Sequence, residues 1–208
     1  MTIILRIEDI GGAKAVSLAV KELKAGKVII YPTETSYGIG ASIKERDAVE
    51  KIKDIKSRRN GKPFLMHVSG REMAGKYAVL DEDADRLVKR FNHGRLSIVV
   101  KRKETVPEWV SNNGIGFRIA NNKIANALCA GLGEPIITTS ANLYGYDPCY
   151  SGEHAIEVFN GIADVILDAG DLPERPTTTI FDVKNRKILR QGEVTLAEIM
   201  RVLGEGKK

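Results

Sequence analysis

Only a short spacer, Lys184-Asn185-Arg186, separates two strand-like segments near the C-terminus, 179–183 and 187–190. A parallel pair needs a crossover of about a dozen residues or more, so these two can join only as an antiparallel hairpin. Upstream, short apolar runs at 27–31, 64–68, 96–101, 117–119, 135–139 and 165–168 read as further strands. Amphipathic stretches lie between them. Val16, Ala19, Val20 and Leu23 fall at i, i+3, i+4 and i+7 of a helix over 11–25, and Gly26 supplies its stop. Further helices are expected over 45–55, 81–91, from Asn121 to near Gly131, and 151–159; Thr195 and Glu198 form a capping box for a last one. The alternation lacks the regular spacing of a pure βαβ repeat. The expected fold class is therefore α/β (α+β): one domain over 1–208, core about 11–204, with a twisted mixed parallel/antiparallel sheet flanked by helices.

Composition excludes several classes. Hydrophobic residues make up 43% and charged residues 28%, as in a soluble globular chain. No apolar run approaches the roughly 20 residues that span a bilayer, and Met1-Thr2-Ile3-Ile4-Leu5-Arg6 lacks the regions of a signal peptide. A cytoplasmic protein with no membrane partner is expected. Cys129 and Cys149 form no Cys-x-x-Cys motif, and His67, His93 and His154 lie far apart, so no structural zinc site is expected.

The net charge of +5 is unevenly placed: residues 44–62 hold eight basic groups against four acidic ones. Such a concentration suits a polyanion, either a nucleotide or a nucleic-acid backbone. For Lys44 to Lys53 a solvated helix face with interleaved acids competes with that reading; from Lys56 to Lys62 no acid follows.

Four segments could carry chemistry. The first is Tyr31-Pro32-Thr33-Glu34-Thr35-Ser36-Tyr37-Gly38-Ile39-Gly40, where an apolar strand runs into a loop of hydroxyls and glycines. In open α/β folds such strand ends form ligand sites, although Pro and Gly also mark ordinary turns. The second is Lys56-Ser57-Arg58-Arg59-Asn60-Gly61-Lys62, a cationic loop suited to phosphate, preceding the strand that carries His67. The third places Arg118 inside the apolar run Gly114-Ile115-Gly116-Phe117, where it must meet a carboxylate of the protein or of a ligand. The fourth, Thr138-Thr139-Ser140-Ala141-Asn142, ends a strand in small donors. No Walker A loop, Gly-x-Ser-x-Gly elbow or His-Glu-x-x-His helix occurs. The residues suit a site that positions substrates and stabilises charge, without an evident covalent nucleophile.

Taken in order, these segments resemble the YrdC family, the L-threonylcarbamoyladenylate synthases, in a short single-domain form with the YrdC/RibB-like fold. Pro32-Thr33-Glu34-Thr35-Ser36-Tyr37-Gly38-Ile39-Gly40, Lys56-Ser57-Arg58, Lys62-Pro63-Phe64-Leu65-Met66-His67, Gly116-Phe117-Arg118, Ser140-Ala141-Asn142-Leu143-Tyr144-Gly145, Thr178-Thr179-Ile180-Phe181-Asp182 and Ile188-Leu189-Arg190-Gln191-Gly192 carry the likeness. His93-Gly94-Arg95-Leu96-Ser97 stands where the family has Pro-Gly-Pro-x-Thr, Ala120 replaces a proline, and Ser57 a glycine. The resemblance implies synthesis of threonylcarbamoyl-AMP from L-threonine, bicarbonate or CO2, and ATP, with Mg2+ accompanying ATP and pyrophosphate released. It implies threonine contacts at Thr35, His67, Arg118, Thr138 and Thr178. ATP contacts follow at Arg58, Lys62, Ser140, Asn142 and Arg190, and catalytic roles for Lys56 and Arg58. A downstream transferase complex would pass the group to tRNA. Two other readings stay open: a tRNA- or double-stranded-RNA-binding module using the basic face, and a carbamoyl-transfer domain of the hydrogenase-maturation type, which shares the fold.

Overall fold

The computed structural model describes residues 1–57, 64–91 and 94–204. The elements run β1 (Ile3–Arg6), α1 (Ile7–Ile10), α2 (Gly12–Lys24), β2 (Ile29–Pro32), β3 (Tyr37–Ser42), α3 (Arg46–Ile55), β4 (Leu65–Val68), α4 (Arg71–Tyr77) and α5 (Glu82–Arg90). They continue through β5 (Leu96–Lys101), β6 (Gly114–Ile119), α6 (Lys123–Leu132), β7 (Ile136–Ser140), α7 (Gly152–Phe159), β8 (Val165–Asp168), β9 (Thr179–Asp182), β10 (Lys187–Arg190) and α8 (Leu196–Gly204). All strands join one sheet in the order β1-β8-β2-β3-β7-β4-β6-β5-β9-β10.

The sheet is mixed, as the spacer argument requires. β9 and β10 pair antiparallel, as do β2–β3, β3–β7, β4–β7 and β5–β6, while β1–β8, β2–β8, β4–β6 and β5–β9 are parallel. Helix ends follow local chemistry. Asp81 and Asn122 accept backbone N–H groups at the starts of α5 and α6, and Gly26 follows α2 with φ +75°. Thr195 and Glu198 exchange reciprocal bonds at α8, as the capping box predicts.

Strand periodicity divides the core. Ile30 of β2 and Ile166 of β8 face one side, with Tyr37, Ile39, Met66, Phe117 and Phe181; α3, α4, α5, α7 and α8 cover them. The neighbouring Ile29, Tyr31, Val165 and Leu167 face the other side, under α2 and α6. Burial of each large aliphatic side chain contributes about 1.5–3 kcal/mol before entropy. The second helical layer is incomplete: α2 lies over β8 and β3 and α6 over β2 and β4, and the rest of that face borders a hollow lined by polar and apolar side chains together.

Four segments depart from the sequence reading, one of them the short helix α1, which precedes the helix expected over 11–25. Residues 37–40, expected as loop, belong to β3, because Tyr37, Ile39 and Ala41 alternate inward and close a hairpin with β2. β1 and α4 were not anticipated; the former is an edge strand whose Ile3 and Ile4 stay exposed. No helix among the described residues is long and apolar enough to cross a membrane.

Candidate active site

Where the second layer is missing, a cavity of ≈ 600 Å³ opens over β3, β7, β4, β6, β5, β9 and β10. Thr35, Arg118, Thr138, Ser140, Thr178 and Arg190 all line it. Three of the four segments singled out in the sequence therefore meet in one hollow, joined there by Thr178 and Arg190; of the cationic segment, Lys56 stands behind the wall and residues 58–62 lie outside the described residues. Strand register brings them there: His67 pairs with Arg118, Leu65 with Thr138, Gly40 with Thr138 and Gly38 with Ser140, and period-2 alternation turns each polar side chain to the same face.

At one end sits a buried polar cluster. Arg118 is 8% exposed, and its Nε donates to His67 Nε2 at 3.1 Å, with Nη2 at 2.7 Å from the same nitrogen. Glu34 Oε1 lies 3.2 Å from Arg118 Nε. Neither Glu34 oxygen takes a hydrogen bond among the described residues, so this contact is Coulombic and poorly aligned. The lone-arginine question is thereby answered on the protein side: a carboxylate is present, and Arg118 still faces the cavity. Burial, and then the Arg118 charge, hold the His67 imidazole well below its ordinary value. Beneath it the Cys129 thiol donates to the His67 carbonyl at 3.4 Å, and burial pushes that thiol up to about 12.

Hydroxyls and guanidinium groups line the other end. Arg190 donates to the Thr178 carbonyl at 2.9 and 3.1 Å and to Thr178 Oγ1 at 3.0 Å, and Ser97 Oγ lies 3.2 Å from that hydroxyl. Burial, and then the like charge of Arg118, push Arg190 below its ordinary value. Arg175 adds a third guanidinium to the wall. Like charges gathered around a hollow are stabilised by an anion placed between them. The Thr33–Ser36 turn closes on itself through Thr33 Oγ1 donating to the Ser36 carbonyl at 2.7 Å, leaving Thr35 at the rim. Tyr37 Oη, donating to the Gly170 carbonyl at 2.8 Å, ties β3 to the segment crossing from β8 to β9.

A family model, Sua5_yciO_yrdC, described as "Telomere recombination", matches residues 21–192. The chain belongs to the Sua5/YciO/YrdC family. Its relatives include the threonylcarbamoyl-AMP synthase of Pyrococcus abyssi, 31% identical over 99% of this chain and 62% of that protein. The chain thus spans less than two thirds of that relative's length. The crystal structure of P. abyssi Sua5 complexed with L-threonine superposes with a TM-score of 0.87 at 31% identity, over 99% of this chain and 61% of that one. Escherichia coli YciO gives 0.84 at 26% identity, over 96% of this chain and 100% of that one.

Within this Sua5/YciO/YrdC fold the expected residues fall into three groups. Thr35, Arg118, Thr138, Thr178, Ser140 and Arg190 line the cavity. His67, Asn142 and Lys56 support it from behind. Lys56 Nζ, buried, donates to the Ser140 carbonyl at 3.1 Å and the Asn142 carbonyl at 2.8 Å, and Asn142 Oδ1 accepts from both Lys56 and Ser140. Arg58 and Lys62 lie outside the described residues. Within 44–53 the basic run behaves as a solvated face: Lys44, Lys51 and Lys53 pair with Glu134, Asp164 and Glu50.

Sequence reasoning gave no role to Tyr31, Arg175 or Ser97. A tyrosine in the middle of an apolar strand was the available signal for Tyr31, because a buried phenol needs a partner. Arg175 sits in an irregular crossing segment with no motif to mark it.

Proposed function

We propose that this chain makes L-threonylcarbamoyl-AMP from L-threonine, bicarbonate or CO2, and ATP, releasing pyrophosphate. The observation that carries the reading is convergence. A guanidinium and hydroxyls suited to a small amino acid share one hollow with two further guanidinium groups suited to phosphates. The 31% identity to the P. abyssi synthase over 99% of this chain supports the same substrates.

The threonine carboxylate would bind Arg118, with Thr35, Thr138 and Thr178 available to its hydroxyl and amine. The amine captures CO2 or bicarbonate as a carbamate, whose oxygen attacks the α-phosphorus of ATP as pyrophosphate leaves in line. Arg190 and Ser140, with Arg58 and Lys62, would contact the nucleotide and offset charge developing on its oxygens. Lys56 acts through Ser140 and Asn142 by fixing the end of β7. Mg2+ in this reading arrives with the triphosphate as co-substrate. The product would pass in the cytoplasm to a transferase complex acting on tRNA. Direct binding of tRNA or double-stranded RNA by this chain would show as a salt-dependent affinity.

The test is pyrophosphate release from ATP, bicarbonate and L-threonine. Release should require threonine, fall with serine, drop at least about a hundredfold in Arg118→Ala, as expected for loss of a charged contact, and largely disappear in Lys56→Ala, which frees the end of β7. Release that continues unchanged without threonine would rule the reading out.

A further inference from the structure

Beneath the cavity floor, four buried side chains form a continuous polar chain. Arg118 meets His67 Nε2; His67 Nδ1 lies 2.9 Å from the Tyr31 hydroxyl; that hydroxyl lies 2.8 Å from Thr138 Oγ1. The direction of every proton is decided at the arginine end. A guanidinium can only donate, so His67 Nε2 must accept, and a ring with a bare Nε2 is neutral and carries its proton on Nδ1. The depressed proton affinity of His67 agrees with a neutral ring. Nδ1–H therefore donates to the Tyr31 oxygen, and the single Tyr31 proton goes to Thr138 Oγ1. The Thr138 hydroxyl thus receives a bond from below. Its own proton has no acceptor among the described residues and is presented to the cavity that Thr138 lines.

The sheet explains why this takes a tyrosine. Tyr31 stands on β2 and Thr138 on β7, with β3 between them, and strands lie about 4.8 Å apart. The ring crosses β3 directly over two glycines. A Cβ on Gly40 would come within 3.1 Å of Tyr31 Cε1, and one on Gly38 within 3.5 Å. Gly38-Ile39-Gly40 is thus the groove through which a long, rigid side chain with a polar tip reaches two strands away.

We infer that Tyr31 is a positioning residue of the amino-acid subsite, occupying one lone pair of the Thr138 hydroxyl and directing the Thr138 proton toward the substrate. At that point the subsite offers an O–H donor, which suits a substrate oxygen with a free lone pair, from a hydroxyl or carboxylate. This rests on the function proposed above, but the proton arrangement can be read without turnover. In protein carrying His93→Gln and His154→Gln, His67 is the only histidine left. Nitrogen-15 NMR of its ring at pH 7 should show the neutral Nδ1–H form. An Nε2–H ring or an imidazolium overturns the proposal, whether or not the protein turns over. In Tyr31→Phe the KM for L-threonine should rise about tenfold, the scale for freeing one buried hydrogen-bonding partner, while the KM for ATP stays within about twofold. An unchanged threonine KM, or equal rises for both substrates, also overturns it. If Tyr31→Phe does not fold, the histidine measurement decides alone. An Nδ1–H ring in a protein whose turnover ignores threonine supports the proton arrangement and removes the functional reading instead.

Discussion

Replacing Glu34 by Gln removes one charge at nearly constant volume and tests the electrostatics of the whole cavity. Glu34 and Arg118 are 10% and 8% exposed at the side chain, with Oε1 and Nε 3.2 Å apart. With an effective dielectric of about 20, attraction at that separation is about 5 kcal/mol. Desolvation offsets much of it, yet removing one partner of a buried pair typically costs about 3–5 kcal/mol because the other charge is left behind. Arg118 keeps its bonds to neutral His67 and borders an open hollow, which places Glu34→Gln at the lower end, about 3 kcal/mol. The stranded Arg118 then faces the like charge of Arg190 alone, so an anion in the cavity should recover part of the loss. Urea unfolding at pH 7, with and without inorganic pyrophosphate, measures both quantities. The variant should be less stable than wild type without the anion and should gain more from adding it, with an affinity about tenfold tighter. A variant as stable as wild type, or one that gains less from pyrophosphate, would show that Glu34 is not the counter-ion of Arg118.

Two more expectations rest on geometry already described. His67 is buried and its folded-state proton affinity is depressed, so the unfolded chain binds the proton more readily. Its contribution is fully present above the unfolded value of about 6.5 and is lost as pH falls toward the folded value, at up to ~1.4 kcal/mol per pH unit. Urea midpoints at pH 7 and pH 5.5 should differ accordingly, and the difference should shrink in His67→Gln; a flat profile between those pH values contradicts this. Gly40→Ala would set a Cβ 2.6 Å from Ile136 Cγ2 and 2.8 Å from the Ile137 carbonyl, and should destabilise by about 1–3 kcal/mol. Loss of threonine affinity at unchanged fold would place the damage in the Tyr31 crossing; an alanine variant of wild-type stability would show that β3 and β7 can separate freely.

What could be read from the chain divides along physical lines. Strands 165–168 and 187–190 carried their boundaries in local pattern, and the spacer at 184–186 settled a pairing direction because chain connectivity alone limits it. Thr35, Arg118, Thr138 and Ser140 were legible as chemistry, since hydroxyls and a lone arginine are out of place in apolar strands, whereas Thr178 and Arg190 came only with the family resemblance. Their order in space was not. Sheet order depends on long-range pairing, which leaves little local trace, and it is that order that brings Tyr31 over β3 to Thr138. Strand β3 was misread because Gly38 and Gly40 imitate a loop, although here they clear space for a neighbouring ring. Glu34 sat inside a motif without a stated partner, and only the tertiary contact names Arg118.

The thiol of Cys129, wedged between α6 and the backbone of His67, gives the molecule an intrinsic reporter. A sulfur so hard to ionise is nearly inert to alkylating reagents while the sheet stays closed. Any reaction at that atom must wait for β4 and α6 to part. Its labelling rate is therefore a clock for breathing of the wall directly behind the amino-acid subsite, and occupancy of the cavity should slow that clock without a single introduced probe.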